Sequence, residues 1–258
     1  MNIIGLPALV GTYDNYIWVL YQDSQAWVMD PGQSQQVIDF LQQNQLSLQG
    51  ILVTHHHFDH TDGIPALKEA YPKAVVYGPE RTENANIQVR LKEGDQVELF
   101  KDFSLNVLDT PGHTPDHICF VNDQTLFCAD TLFAGGCGRL LGGTPEQYAN
   151  SIIKLRALPD STQFYCAHEY TEFNLKFASL VEPNNKALQQ RIANLDIHYP
   201  SNKADAFCLL KEEKETNPFL RFDQPEVRSQ LIARGAEDTP ASLFKTLRHW
   251  KDQFDRQN

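Results

Sequence analysis

The sequence predicts a layered α/β protein with a helical C-terminal region. Three observations support this: short apolar, β-branched and aromatic runs recur through the first two thirds of the chain, amphipathic stretches lie between some of them, and the pattern becomes helical from Thr171 onward. Two strand-rich halves, each with helices attached, favour layers of sheet and helix over a simple parallel βαβ series. We therefore predict a first domain of residues 1–170 and a helical subdomain of residues 171–258.

The predicted strands are apolar runs that end at turn residues. In chain order they are Tyr16–Tyr21, Ala26–Met29, Ile51–Val53, Ala74–Tyr77, Gln96–Phe100, Ser104–Leu108, His117–Val121, Thr125–Cys128 and Gln163–Cys166. Helical periodicity predicts helices over Ser34–Gln45, Ile64–Tyr71 and Pro145–Leu158, with Ser34 as a candidate N-cap. Beyond residue 170 it predicts helices over Glu172–Val181, Lys186–Ile197 and Pro240–Phe254, and the polar segment Glu212–Pro218 is interpreted as a connecting loop.

Composition and charge limit the kinds of function. The 258 residues, 41% of them hydrophobic, suffice for a large core. Apolar runs stay short of the roughly 18 residues of a membrane span, and Met1–Val10 lacks the regions of a secretory signal. The five cysteines never form CxxC, which suits a reducing cytosol. Because nucleic-acid binders usually carry a basic face, the formal net charge of -11 disfavours DNA and RNA. We expect a cytoplasmic protein that binds neither membrane nor nucleic acid.

The segment Thr54–His60 contains the pattern HxHxDH directly after an apolar predicted strand. Imidazoles at alternate positions of an extended turn can converge on one metal ion, while the aspartate and the next histidine can face a second ion beside it. The candidate ligands are His55, His57, Asp59 and His60. A solvated polar loop is the alternative, and it is disfavoured because chance rarely sets four histidines and an aspartate against a buried strand.

Three further candidates, His113, Asp130 and His168, also follow strand-like apolar runs. Strand ends and the loops after them commonly form sites in α/β proteins, because the strand fixes the base of the site. Taken singly, a histidine there is more often a hydrogen-bonded structural residue and an aspartate more often a turn residue. Ligand types at four separate strand ends favour a metal site.

In order and approximate spacing these residues match the seven ligands of the two-metal metallo-β-lactamase superfamily, which the chain resembles over about its first 170 residues. The resemblance implies a four-layer αββα sandwich. It also implies one metal held by His55, His57 and His113, a second held by Asp59, His60 and His168, and Asp130 as the bridge. Zinc is the expected metal, with iron and manganese as alternatives, because histidine and aspartate accept all three.

Within that superfamily the chain is most similar to the glyoxalase II family, over nearly its whole length. The similarity rests on stretches outside the metal motif: Tyr13–Tyr16, Thr131–Phe133, Gly136–Arg139, Ala167–Thr171, Asn217–Phe219 and Lys251–Phe254. It implies a catalytic first domain and a substrate-binding helical subdomain. Asp62, Leu141 and Gly142 depart from the family's pattern, which has glycine, an aromatic residue and an acid there. The change at Leu141 removes an expected contact to the thiol part of the substrate.

The resemblance also implies that Arg139, Tyr170, Arg248 and Lys251 bind the glutathione part of the substrate. Arg248 and Lys251 match positions that bind its glycine carboxylate, and Arg139 matches a residue that borders the tripeptide. In the last predicted helix, apolar residues form a stripe that can dock on the first domain, and the two basic residues share a neighbouring face. Solvated surface charges are the alternative. A protein of net charge -11 needs local positive charge to hold an anionic substrate, which favours binding.

The implied reaction is hydrolysis of S-D-lactoylglutathione, or a related 2-hydroxyacylglutathione, to glutathione and D-lactate, the second step of methylglyoxal detoxification. Two metals can share a hydroxide that attacks the thioester, and a thiolate with a conjugate-acid pKa of about 8.5 leaves without a strong general acid. Asp59 and Asp130 then act catalytically through the metals. Alternatives are lactonase, β-lactamase or iron-dependent persulfide dioxygenase activity, or a catalytically silent metal-binding or interaction protein. We expect a monomer.

The remaining histidines near these motifs are interpreted as structural. His56 lies between two candidate ligands and is expected to point away from the metals. His117 is expected to hydrogen-bond within its loop, and support of a ligand is left open for it. His198 and His249 are interpreted as surface residues of the helical region.

Overall fold

The computed structural model describes residues 1–195 and 208–257, in which two six-stranded sheets occur. The first sheet contains β1 (Asn2–Ala8), β2 (Asn15–Gln22), β3 (Gln25–Met29), β4 (Ser47–Leu52), β5 (Val75–Pro79) and β6 (Val89–Leu91), hydrogen-bonded in that order. The second contains β7 (Gln96–Phe100), β8 (Phe103–Asp109), β9 (Ile118–Val121), β10 (Thr125–Ala129), β11 (Gln163–Cys166) and β12 (Cys208–Leu209), also in chain order. Strands β3 to β6 run parallel, as do β10 and β11.

Helices cover the outer faces of both sheets. They are α1 (Gln35–Gln43), α2 (Phe58–Thr61), α3 (Ile64–Ala70), α4 (Pro145–Arg156), α5 (Thr171–Val181), α6 (Lys186–Ala193), α7 (Leu210–Thr216), α8 (Pro225–Ala233) and α9 (Pro240–Asp255). Helix α4 begins where its sequence predicts, because Thr144 and Gln147 form a reciprocal capping box. No helix of the described residues is both long and apolar enough to cross a bilayer.

The alternation of side chains along the strands produces four layers. In β2, Ile17 and Val19 pack against the helices on the outside of the first sheet, while Trp18 and Leu20 point between the sheets. In β9, Phe120 points between the sheets and Cys119 faces the helices that cover the second sheet. Three apolar cores therefore separate helix, sheet, sheet and helix, which confirms the predicted αββα sandwich.

Every predicted strand and helix that lies within the described residues has a counterpart, but several elements were not predicted. These are β1, β6, β12, α2, α7 and α8. Strand β1 is an edge strand whose burial is only partial, so its alternation is weak. Ser34 stands at the N-cap of α1, but its side chain makes no capping hydrogen bond. The end of the helix predicted over Lys186–Ile197 and His198 lie outside the described residues.

The C-terminal region does not pack as a separate unit in the described residues. Strand β12 pairs with β11 at the edge of the second sheet, and α9 packs on α4 of the first domain. The domain boundary at residue 170 stays a prediction. With this boundary, helices α5 to α9 belong to the C-terminal part of the chain. Side chains from both parts line one site.

The segment predicted as a polar loop, Glu212–Pro218, is instead mostly helix α7. The reason is a buried carboxylate. Glu213 is fully buried, accepts hydrogen bonds from the Gly135 backbone N–H at 2.9 Å and from Asn217 Nδ2 at 2.8 Å, and forms an ion pair of 2.5 Å with Arg191. A polar sequence therefore folds as a helix because its central charge is fully satisfied in the interior.

Replacing Glu213 by alanine should lower the free energy of unfolding by about 3 kcal/mol, because it removes the buried carboxylate partner of the largely buried Arg191 and the acceptor of the Gly135 N–H. Urea denaturation measures the change. The matched control is Glu215→Ala on the same helix, whose side chain is 51% exposed; its loss should be under about 1 kcal/mol. Equal losses for the two variants would contradict a structural role for the buried carboxylate.

Candidate active site

The strand ends bring all seven candidate ligands together. His55 and His57 follow β4, and Asp59 and His60 lie in the short helix α2 that comes next. The other three come from the segments after β8, β10 and β11, and are His113, Asp130 and His168. These residues form two groups of closely spaced ligand atoms, one of His55, His57, His113 and Asp130, and one of Asp59, His60 and His168, with atoms within 4.8 Å of one another in each.

In the first group three imidazole nitrogens converge. His55 Nε2 lies 3.0 Å from His57 Nδ1, and His57 Nδ1 lies 3.0 Å from His113 Nε2. His55 and His113 are buried and His57 is half-buried. The nitrogens therefore face one common point at the base of an opening to solvent.

In the second group two imidazoles and a carboxylate face each other. His60 Nε2 lies 3.4 Å from Asp59 Oδ2, and His168 Nε2 lies 3.7 Å from the same oxygen. His60 Nε2 is buried and has no hydrogen-bond partner among the described residues. An unpaired buried nitrogen beside carboxylates is a site that a bound cation would satisfy.

Asp130 lies between the two groups and offers one oxygen to each. Its Oδ2 is 3.2 Å from His113 Nε2 of the first group. Its Oδ1 is 3.4 Å from His60 Nε2 and 3.1 Å from His168 Nε2 of the second, and within the part of the chain that the structure describes it has no hydrogen-bond partner. This geometry is the one that a bridging carboxylate requires.

Backbone carbonyls orient two of the imidazoles. His113 Nδ1 donates to the Arg139 carbonyl at 2.8 Å, and His168 Nδ1 donates to the Tyr13 carbonyl at 2.7 Å. A ring that donates from Nδ1 and is neutral carries its lone pair on Nε2, which is the nitrogen that faces the cluster. Lone pairs and carboxylate oxygens thus point at each other, an arrangement that is repulsive without a cation between them.

Asp30 orients two more rings and was not predicted as a site residue. Its carboxylate accepts from the Thr54 N–H at 2.8 Å, from Thr54 Oγ1 at 2.6 Å and from His60 Nδ1 at 3.0 Å. Because the Thr54 hydroxyl donates to Asp30, its oxygen is free to accept from His55 Nδ1, 3.0 Å away. One buried carboxylate therefore turns the Nε2 atoms of His55 and His60 toward the cluster.

The electrostatics of the cluster suit metal ligation. Burial, followed by the neighbouring His60, lowers the pKa of His55 well below its usual value, and burial lowers the pKa of His57 to about 4. Burial alone would raise the pKa of Asp130, but the surrounding histidines, His168 first, outweigh it and hold that pKa well below its usual value. His60 differs: burial would lower its pKa, but the Asp130 and Asp30 carboxylates outweigh burial and raise that pKa well above its usual value. Neutral imidazoles and an ionised carboxylate are the forms that bind a divalent cation, so the residues fit a two-metal centre once His60 has released its proton.

Gly138 packs so closely against the Asp130 backbone that no residue with a side chain fits at its position. Gly138 donates its N–H to the Asp130 carbonyl at 3.1 Å, and a Cβ on Gly138 would lie 2.2 Å from that carbonyl oxygen. On the other side, Ala129 has a φ of 39°, a strained conformation for a residue with a Cβ. The end of β10 is thus bent to direct the Asp130 carboxylate into the cluster.

The structural interpretations of three other histidines are confirmed within the described residues. His56 points away from the cluster and contacts Asp116 at 2.8 Å. His117 Nδ1 contacts Thr110 Oγ1 at 3.0 Å, and its ring stacks on that of His55 with centroids 4.9 Å apart. It therefore also supports a candidate ligand ring. His249 is exposed on α9.

A cavity of about 570 Å³ opens above the cluster, within the range of about 300–1,000 Å³ that small organic ligands occupy. All four predicted substrate-binding residues line it. Its described lining includes His57, Asp59, His113, Asp130 and His168 from the cluster, Tyr13, Phe58, Phe133, Arg139, Leu141, Tyr170 and Phe173 around the opening, and Arg248, Lys251 and Asp255 from α9.

Arg248 and Lys251 are buried, so solvated charges on a terminal helix are excluded for both. Each is 3% exposed. Arg248 Nη1 donates to the Cys137 carbonyl at 2.9 Å, and the Lys251 ammonium lies 4.5 Å from the centre of the Phe173 ring. The two side chains, which we call the basic pair, bring positive charge to the cavity wall.

Arg139 and Tyr170 reach the cavity in different ways. The Arg139 side chain is exposed at the opening, while its carbonyl holds His113. The Tyr170 ring stacks on His168 with centroids 5.0 Å apart, and its hydroxyl donates to the Tyr13 carbonyl at 2.9 Å. The Tyr170 hydroxyl is therefore already hydrogen-bonded, and the residue offers its ring to a ligand in the cavity.

The three departures from the family pattern have different consequences. Leu141 is 50% exposed at the cavity opening, where it offers an aliphatic contact. Gly142 has a φ of 111°, a conformation that an acidic residue would adopt only with strain. Asp62 is exposed at the end of α2 and lies outside both ligand groups.

Solved structures share the fold. ETHE1 from Myxococcus xanthus superposes with a TM-score of 0.66 at 23% identity, covering 96% of each chain. TTHA1623 in a di-iron-bound form superposes with a TM-score of 0.52 at 26% identity, covering 64% of this chain and 92% of the other.

The sequence matches known families over nearly its whole length. Residues 10–168 match the Metallo-beta-lactamase superfamily, and residues 169–254 match the family described as Hydroxyacylglutathione hydrolase C-terminus. The hydroxyacylglutathione hydrolase of Hydrogenovibrio crunogenus is 45% identical over 264 residues, which cover 100% of this chain and 97% of that protein. The resemblance to the glyoxalase II family is thereby confirmed: the chain belongs to the hydroxyacylglutathione hydrolase family of the metallo-β-lactamase superfamily.

Proposed function

We propose that this protein hydrolyses S-D-lactoylglutathione, or a related 2-hydroxyacylglutathione, to glutathione and the hydroxy acid. One observation carries the proposal: a single cavity is lined both by two ligand groups that share Asp130 and by the basic pair. The ligand groups supply hydrolytic chemistry, and the basic pair suits the carboxylates of glutathione.

We propose that His55, His57 and His113 would hold one metal ion, that Asp59, His60 and His168 would hold the other, and that Asp130 would be shared between them. Zinc is the metal we propose, although the same ligands accept iron and manganese. When bound, the two ions supply a nucleophile at neutral pH and polarise the thioester carbonyl. Asp59 and Asp130 contribute to catalysis by positioning the ions.

The chain's own residues hold the substrate. The Arg139 side chain, the Tyr170 ring and the basic pair border the glutathione part, and the thiolate leaves without a general acid because its conjugate acid has a pKa of about 8.5. In this proposal residues 1–170 supply the ligands and residues 171–258 supply the basic pair. The net charge of -11 makes such local positive charge necessary for an anionic substrate.

The substrate class is tested with metal-reconstituted protein and a panel of lactoylglutathione, a lactone and a β-lactam. The value of kcat/KM for the thioester should exceed those for the other two by at least roughly 100-fold, because the thioester alone combines the glutathione part that the basic pair is proposed to hold with a thiolate leaving group. Chelation should abolish the activity and metal addition should restore it. A preference for the lactone or the β-lactam would overturn the proposed substrate class.

The bridging role of Asp130 is tested by Asp130→Asn, which preserves side-chain volume and removes the charge. Turnover should fall at least about 100-fold, and metal content should drop below two ions per chain, because each group loses a ligand. Metal analysis and the thioester assay measure both. Asp62→Asn, at an exposed acid outside both groups, should leave both unchanged. An Asp130→Asn protein that keeps two metal ions per chain and full turnover would rule out the bridging role of Asp130.

The role of the basic pair is tested by Lys251→Met, which keeps the aliphatic part of the side chain and removes its charge. KM for lactoylglutathione should rise roughly 10-fold with little change in kcat, because a binding interaction and not the metal chemistry is lost. Lys245→Met removes the same charge from an exposed position of α9 and should leave KM unchanged. Equal KM values for Lys251→Met and the parent would exclude Lys251 from the substrate site.

A further inference from the structure

The basic pair already holds a carboxylate of the chain itself. Asp255, in the last turn of α9, accepts from Arg248 Nη2 at 3.2 Å through one oxygen and from the Lys251 ammonium through the other. Both cations of the pair therefore converge on a single carboxylate. Among the described residues Asp255 is the acid that bridges them.

Asp255 faces the cavity and not bulk solvent. It lines the same cavity as the cluster, and its side chain is 11% exposed. Asp252, the other acid near Arg248, differs in both respects: it contacts the Nε side of the guanidinium at 3.0 Å, its side chain is 31% exposed, and it does not line the cavity. Asp255 thus occupies the part of the basic pair that a ligand in the cavity would contact.

We propose that Asp255 is an internal competitor for the basic pair: its carboxylate occupies the position of the substrate's terminal carboxylate, and a glutathione thioester binds the basic pair only after displacing it. The inference rests on the proposed function. A carboxylate of the substrate and that of Asp255 have the same charge and the same bidentate geometry, so they compete for the same donors. The apparent affinity for every anionic ligand is the intrinsic affinity multiplied by the fraction of molecules in which Asp255 is not engaged with the basic pair.

The competition has a consequence for which ligands occupy the site. A ligand with a single weakly held anionic group gains little from replacing an equivalent internal carboxylate. A ligand that also contacts the cavity wall and the metal centre offsets the displacement with those contacts. The penalty is the same for both kinds of ligand and leaves the ratio of their affinities unchanged. At a given concentration it keeps weakly bound small carboxylates from occupying the site, while a complete glutathione conjugate still binds.

The test is Asp255→Asn in the metal-loaded full-length protein. KM for lactoylglutathione should fall roughly threefold to tenfold with kcat little changed, as removal of an internal competitor requires. Glutathione, titrated by calorimetry, should bind more tightly by a similar factor, and KM for a small uncharged thioester should not move. The control is Asp238→Asn, which removes the same charge and an arginine partner at an exposed site outside the cavity.

The outcomes separate the inference from the function on which it rests. An unchanged or higher KM for Asp255→Asn, with glutathione bound no more tightly, would show that Asp255 orients the basic pair and does not compete with substrate, and the inference would be overturned while the function stands. A parent protein that neither binds glutathione nor cleaves its thioester would overturn both. Circular dichroism checks folding, and Asp255→Ser is the second variant. If neither variant folds, Asp255 is a structural requirement and the inference fails.

Discussion

The buried charge of Asp130 is the constraint on which the site depends. A carboxylate that is 5% exposed is stable as an anion only beside positive charge, and a cation held between its oxygens and the three imidazole nitrogens within 3.4 Å of them would supply that charge. Each of those rings must in turn be oriented by a hydrogen bond to its other nitrogen, so groups from several parts of the chain support the cluster. The carboxylate of Asp30, which directly follows β3, and two backbone carbonyls fix the rings, and a bent strand end fixes Asp130 itself.

The helical C-terminal region contributes to the same constraint. Asn217 donates to the Phe133 and Gly136 carbonyls at 3.1 and 2.9 Å, and Glu213 accepts from the Gly135 N–H, so the loop after Asp130 is held by residues near the end of α7. Arg248 of α9 adds a hydrogen bond to the Cys137 carbonyl further along this loop. The region that carries the basic pair therefore also positions the loop that follows Asp130. The same helices thus support both the basic pair and the ligand cluster.

The sequence predicts well what depends on local pattern. Apolar runs locate the strands, and the strand ends locate the candidate ligands, because the side-chain period of two is visible in a single chain. Asp30 carries the same signal, since it directly follows β3, but a single aspartate at a strand end resembles a turn residue. Its role depends on the pairing of β3 with β4, which local pattern does not specify. Glu213 and the depth of burial of Arg248 were missed for the same reason: tertiary partners decide them.

The backbone and the side chain of Tyr13 and of Arg139 have different roles in the site. Their carbonyls orient His168 and His113, while their side chains are exposed at the cavity opening. Every residue has a backbone carbonyl, so a substitution at either position can change the chemistry of the cavity opening and still keep the hydrogen bond that orients the imidazole. Mutation can thus alter which molecule enters while the reactive centre keeps its geometry. This separation gives one scaffold room to acquire different substrates over evolutionary time.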